Sequence, residues 1–121
     1  MATASGHTQA IQASRVIGTD VYNTEGNHIG TIEDVMLDKL SNSIMFAVIG
    51  FGGFLGIGEK YHAVPWASLD YDPSRGGYVV SFTREQLEAA PVYDISELTN
   101  SDGEKVREAS YNYYNVPPYW I

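Results

Sequence analysis

From Val16 onward, apolar residues come in short runs divided by turn-forming clusters at close, fairly even intervals. Val16 to Tyr22 is rich in β-branched and aromatic residues and predicts a strand. It ends at Asn23-Thr24-Glu25-Gly26-Asn27, where Gly26 can take the positive φ that a tight hairpin needs. In the next run, His28 to Asp38, Ile29, Thr31, Val35 and Leu37 share one face while Ile32 and Met36 lie on the other. That mixture predicts a long strand that bends or carries a bulge, so that both faces meet apolar surroundings in turn. Leu40-Ser41-Asn42-Ser43 is a second turn and leads into Ile44 to Ile49, an unbroken apolar run. Its shortness, its Val and Ile content and its flanking Asn and Gly favour a central strand over a piece of buried helix.

The Gly-rich segment Gly50 to Gly58 follows, then a strand from Tyr61 to Trp66 that Pro65 ends or pushes to an edge. Leu69 and Tyr71 extend it beyond a corner, and Asp72-Pro73-Ser74-Arg75-Gly76-Gly77 is the clearest turn in the chain. Tyr78 to Phe82 closes the strand series. Thr83-Arg84-Glu85-Gln86 has the spacing of a capping box, and the short helix it opens is stopped by Pro91. Ser101-Asp102-Gly103-Glu104 repeats that signature, predicting a second helix to about Ser110 with Val106 and Ala109 as its apolar stripe. Pro117-Pro118 forbids helix at the end, so the last residues are expected to be extended. Five or six short strands without interleaved helices predict an all-β fold, a small barrel or sandwich. Residues 1–12 read as a loose arm, 13–90 as the domain, and 91–121 as an extension with a short helix and an aromatic tail.

With 121 residues, 44% hydrophobic and 18% charged, the chain is globular and has length for one core. Seven Lys and Arg against fifteen Asp and Glu leave a net charge of −8, which repels phosphate and makes nucleic acid a poor partner. The absence of cysteine excludes disulfides and thiol chemistry. The longest apolar stretch, Ile44 to Phe51, is too short to cross a membrane, so no membrane insertion is expected. Residues 1–14 have neither the basic nor the apolar region of a secretory signal, and a cytoplasmic location is the default expectation.

Candidate chemistry is sparse. Five glycines between Gly50 and Gly58 invite a phosphate-loop reading that fails on spacing: Leu55 stands where a dinucleotide fingerprint needs glycine, and Glu59 where a Walker loop needs lysine. The segment is expected to be a hairpin connection with Phe51, Phe54, Leu55 and Ile57 folded over the barrel mouth. His7, His28 and His62 lack the spacing of known metal sites. His62, with Ser68 and Asp70 close behind it, is the one histidine on which a hydrolase could be built. Glu33, Asp34 and Asp38, and also Asp70 with Asp72, read as solvated acidic surface. No catalytic residue, metal ligand or cofactor is therefore assigned.

The tail is more informative. Tyr111, Tyr113, Tyr114, Tyr119 and Trp120 place five of the fifteen aromatics in the last eleven residues, too much apolar surface to leave in water. It must dock on its own barrel, on a second copy or on a foreign protein.

Val16-Ile17-Gly18-Thr19-Asp20-Val21, Gly26, and Ile29-Gly30-Thr31-Ile32-Glu33-Asp34-Val35-Met36-Leu37-Asp38 together resemble the PRC-barrel domain. Phe51 to Gly58 and His62-Ala63-Val64-Pro65-Trp66 fit the same pattern, so the resemblance covers about residues 13–90. The photosynthetic reaction centre's H subunit and a ribosome maturation factor share this domain. The resemblance implies a small, strongly bent β-barrel that docks protein partners without catalysis, in a free-standing bacterial member. Gly18, Gly26, Gly30 and Pro65 match its turn, bend and strand-ending positions and bring no catalytic role. The expected function is a protein-binding module, itself a partner, with Phe51, Phe54, Leu55, Tyr113, Tyr114, Tyr119 and Trp120 as candidate contact residues. The alternative is a small-molecule carrier or sensor whose barrel mouth is lidded by the Gly-rich loop.

Overall fold

The structure, a computed structural model, describes residues 10–50 and 60–121. Six strands follow a short helical turn, α1 (Ala13–Val16): β1 (Asp20–Asn23), β2 (His28–Asp38), β3 (Ser43–Gly50), β4 (Tyr61–Pro65), β5 (Asp70–Asp72) and β6 (Gly77–Val80). Two helices complete the chain, α2 (Arg84–Ala89) and α3 (Glu104–Tyr113), with 3₁₀ turns at Trp66–Ser68 and Glu97–Gly103. The strands form one sheet in the order β4-β3-β2-β1-β6-β5, antiparallel except where β1 meets β6. The fold is mostly β, as expected. However, β4 and β5 remain its two edges among the described residues, so the sheet is not closed into the expected barrel.

The predicted bend is present: β2 slips register against β3 between Ile32 and Asp34 and again between Met36 and Leu37. The first slip leaves Glu33 as an extra residue on β2 and turns the side chains after it to the opposite face, which accounts for the mixed apolar pattern of this strand; the second leaves Met45 as the extra residue on β3. β3 is the central strand its composition implied. Its even residues Phe46 and Val48 pack with Ala63, Leu98 and Val106, while Ala47 and Ile49 pack with Val21, Ile32, Val64 and Leu87. An unbroken apolar run is what burial on both faces requires.

Three local expectations need correction. Val16 does not begin a strand but ends α1, and β1 starts only at Asp20, after Gly18 at φ 91° has turned the chain. Ser101 does not cap α3. Ser101, Asp102 and Gly103 all have positive φ, and Gly103 is the N-cap without a side-chain hydrogen bond. A Cβ on Gly103 would also lie 3.1 Å from the Met45 sulfur. Finally, α3 runs past the expected end near Ser110 to Tyr113, so Tyr111 and Tyr113 are helical; the chain leaves the helix at Asn115, with φ 58°, where the expected non-helical end begins. By contrast, the box at α2 forms as read: Thr83 Oγ1 accepts from the Gln86 N–H at 3.1 Å, and Gln86 Oε1 accepts from the Thr83 N–H at 2.8 Å.

The extension after Pro91 is built into the fold. Leu98 and Val106 cover the second face of β3 and β4. Ser110 donates to the Ala63 carbonyl at 2.8 Å and Tyr111 to the Met45 carbonyl at 2.9 Å, holding α3 on the sheet.

Candidate docking site

The turn between β2 and β3 is organised by Asp38. Its Oδ1 accepts from the Leu40 N–H at 3.0 Å and the Ser41 N–H at 3.3 Å, while Asn42 takes the left-handed conformation that brings the chain back. Its Oδ2 reaches across the molecule, accepting from the Tyr119 hydroxyl at 2.5 Å and from Arg107 Nη1 at 3.3 Å. Asp38 is only 7% exposed, so it is not the solvated acid its sequence neighbours implied. The Tyr119 hydrogen bond, with those of Leu40 and Ser41, holds its carboxyl below the usual carboxylate range against the opposing effect of burial.

Arg107 completes the seat. Its guanidinium lies 4.0 Å from the Trp120 ring centre and 5.7 Å from that of Tyr119. Tyr111, one helical turn after Arg107, meets Trp120 edge-on at 4.8 Å and Tyr119 at 5.8 Å. The tail therefore docks on its own chain, pinned through one carboxylate and one guanidinium.

A groove of about 820 Å³ opens beside this seat. It is lined by the end of β2 and the turn after it, with Leu37, Lys39 and Leu40, and by the Leu98–Glu104 segment; Met45 and Trp120 line it as well. Leu37 is 63% exposed and Leu40 97%, and Ile121, next to Trp120, is also exposed.

The candidate contact residues do not form one site. Tyr119 and Trp120 line the groove. Tyr114 packs against Phe82, and Tyr113 donates to the Gln86 carbonyl at 2.6 Å beside α2. Phe51, Phe54 and Leu55, with the loop proposed as a lid, lie outside the described residues. Leu37, Leu40, Asp38 and Arg107 were missed. Leu40 did carry a signal, an apolar residue standing in a turn otherwise made of Ser and Asn.

His62 does not line the groove. It pairs with Ile49 across β3 and β4, is 2% exposed, and bonds the Pro91 carbonyl. Burial pushes its pKa down, partly offset by that bond. Among the described residues, no group of three or more His, Asp or Glu side chains is placed to hold a metal ion. No helix among them is long and apolar enough to cross a membrane.

The sheet edges are obstructed. Tyr61 exchanges both backbone hydrogen bonds with Tyr93, at 2.8 and 2.9 Å, Ser110 takes the Ala63 carbonyl, and Pro65 has no N–H to give. At the other edge β5 is three residues long, with Asp70 and Asp72 on either side of Tyr71. Short, charged or covered edges of this kind resist strand addition. Exposed apolar side chains instead gather at the groove, beside the Asp38–Arg107 seat.

No curated protein matches the chain. A family model of the PRC-barrel domain matches residues 9–87, well over half of it, and with the bent β2 inside that span the chain belongs to the PRC-barrel domain family.

Proposed function

We propose that this protein is a non-catalytic docking module that binds protein through the groove between the β2–β3 turn and the Leu98–Glu104 segment. The observation that carries the reading is the pair Leu37 and Leu40, exposed at the end of β2 and on the turn after it, which the Asp38 carboxylate organises. A monomer gains nothing from fixing two leucines in water, whereas a fixed apolar knob lowers the ordering cost of binding. PRC-barrel domains generally serve as protein-interaction modules, which agrees with this use.

The test places a photo-reactive benzophenone amino acid at Leu40 and, in a second variant, at Tyr71 on the β5 edge of the sheet. Irradiation in cells is expected to give protein adducts from position 40 and none from position 71. Absent adducts, or equal labelling from both positions, would overturn the reading. The adduct mass separates a second copy of this chain from a foreign protein.

A further inference from the structure

The groove has unlike walls. Lys39 lines it from the turn after β2, beside Leu40, and Asp102 and Glu104 line it from the segment that opens α3. Among the described residues none of these three makes an ion pair, while the Arg107 charge nearby is matched by Asp38. The site thus carries an apolar knob with a cation on one wall and a hollow with two anions on the other. Both halves are unpartnered, and they sit on the same patch.

We infer that the occupant of the groove is a second copy of this chain, paired about a two-fold axis so that each Leu40 enters the other's groove and each Lys39 faces Asp102 and Glu104 of the other copy. An isologous contact requires a patch complementary to itself, and knob with hollow and cation with anions meet that requirement twice over. Charge points to the same place. At net charge −8, two copies repel over most orientations, so contact is favoured where one of the few cations meets acids. The patch is small for a stable interface, which commonly buries roughly 800 Å² per partner, so the pairing is reversible and depends on concentration. This inference rests on the docking reading above and specifies its occupant.

Sedimentation of the full chain from about 1 μM to about 500 μM, a span suited to a small interface, tests it. The mass is expected to rise from 13.3 kDa toward twice that value. Leu40→Asp is expected to stay monomeric throughout. Lys39→Glu should weaken association at least tenfold, and adding Glu104→Lys to it should restore most of the loss. All three residues are exposed, and circular dichroism checks that each variant keeps the fold. A wild-type mass of 13.3 kDa at every concentration would overturn the pairing while leaving docking of a foreign protein to the cross-linking experiment. Association that ignores Leu40→Asp and Lys39→Glu would place the contact on another face, and failure of the charge exchange to restore it would refute the wall-to-wall register.

Discussion

Asp38 uses its two oxygens for different ends: Oδ1 shapes the β2–β3 turn, and Oδ2 anchors Tyr119 and Arg107. One side chain thereby couples the geometry of the knob to the docking of the tail. Because its folded pKa is lowered, the native state prefers the carboxylate. The stability it contributes is fully present above the ordinary carboxylate value of about 4 and is lost as pH falls through the lowered folded value. In a Trp66→Phe background Trp120 is the only tryptophan and reports on the seat. Its emission is expected to hold steady down to about pH 4 and to move toward that of solvent-exposed tryptophan below it. Asp38→Ala should give the exposed emission already at neutral pH, because Arg107 and Tyr119 then lose their common acceptor. Unchanged emission in that variant would show that ring packing alone holds the tail.

The elements differ in how much local sequence specifies them. The α2 box is complete within four residues, and Thr83→Ala should cost about 1 kcal/mol through the loss of one cap. β3 was legible because burial on both faces leaves an unbroken apolar run, and the bend in β2 because a register slip leaves a mixed one. Val16 to Tyr22 misled because its β-branched content is a side-chain preference, whereas the turn depends on the backbone of Gly18. The α3 cap misled for a related reason: Ser101 and Glu104 have the right spacing, but three left-handed residues in a row turn the backbone away. The part least visible in the sequence is the reach of the domain itself. The family pattern stops at residue 87, yet Leu98 is wholly buried against Phe46 and Val48 on the far face of β3. Leu98→Ala should therefore destabilise the sheet by about 2–5 kcal/mol in chemical denaturation, as a core truncation does. A loss well below 1 kcal/mol would mean that the extension is a loose appendage.

Across the whole molecule, the seat joins residues that sequence order keeps far apart: Asp38 lies 69 positions from Arg107 and 81 from Tyr119. No local pattern announces such pairs, so the aromatic tail was legible as something that must dock, and its dock was not. The same aromatics give the fold a shared dependence on alkaline pH. Burial is the main cause that raises the phenol pKa of Tyr78, Tyr93, Tyr111, Tyr114 and Tyr119, and Tyr111 is pushed up to about 12. The buried Tyr114 hydroxyl has no hydrogen-bond partner among the described residues, so a phenolate there would be especially poorly solvated. Since the folded state favours the neutral phenol, stability is full below the unfolded value of about 10 and falls as pH rises past it, the unfolded chain releasing its protons first. These tyrosines span both core clusters and the seat, so opening one weakens the support of the others. Phenolate absorbance followed with circular dichroism should show part of the nine tyrosines lagging beyond the ordinary value of about 10, then ionising together with loss of β signal. If all nine ionised near pH 10 with the β signal intact, the tyrosines would be open to water and the packed extension would be refuted.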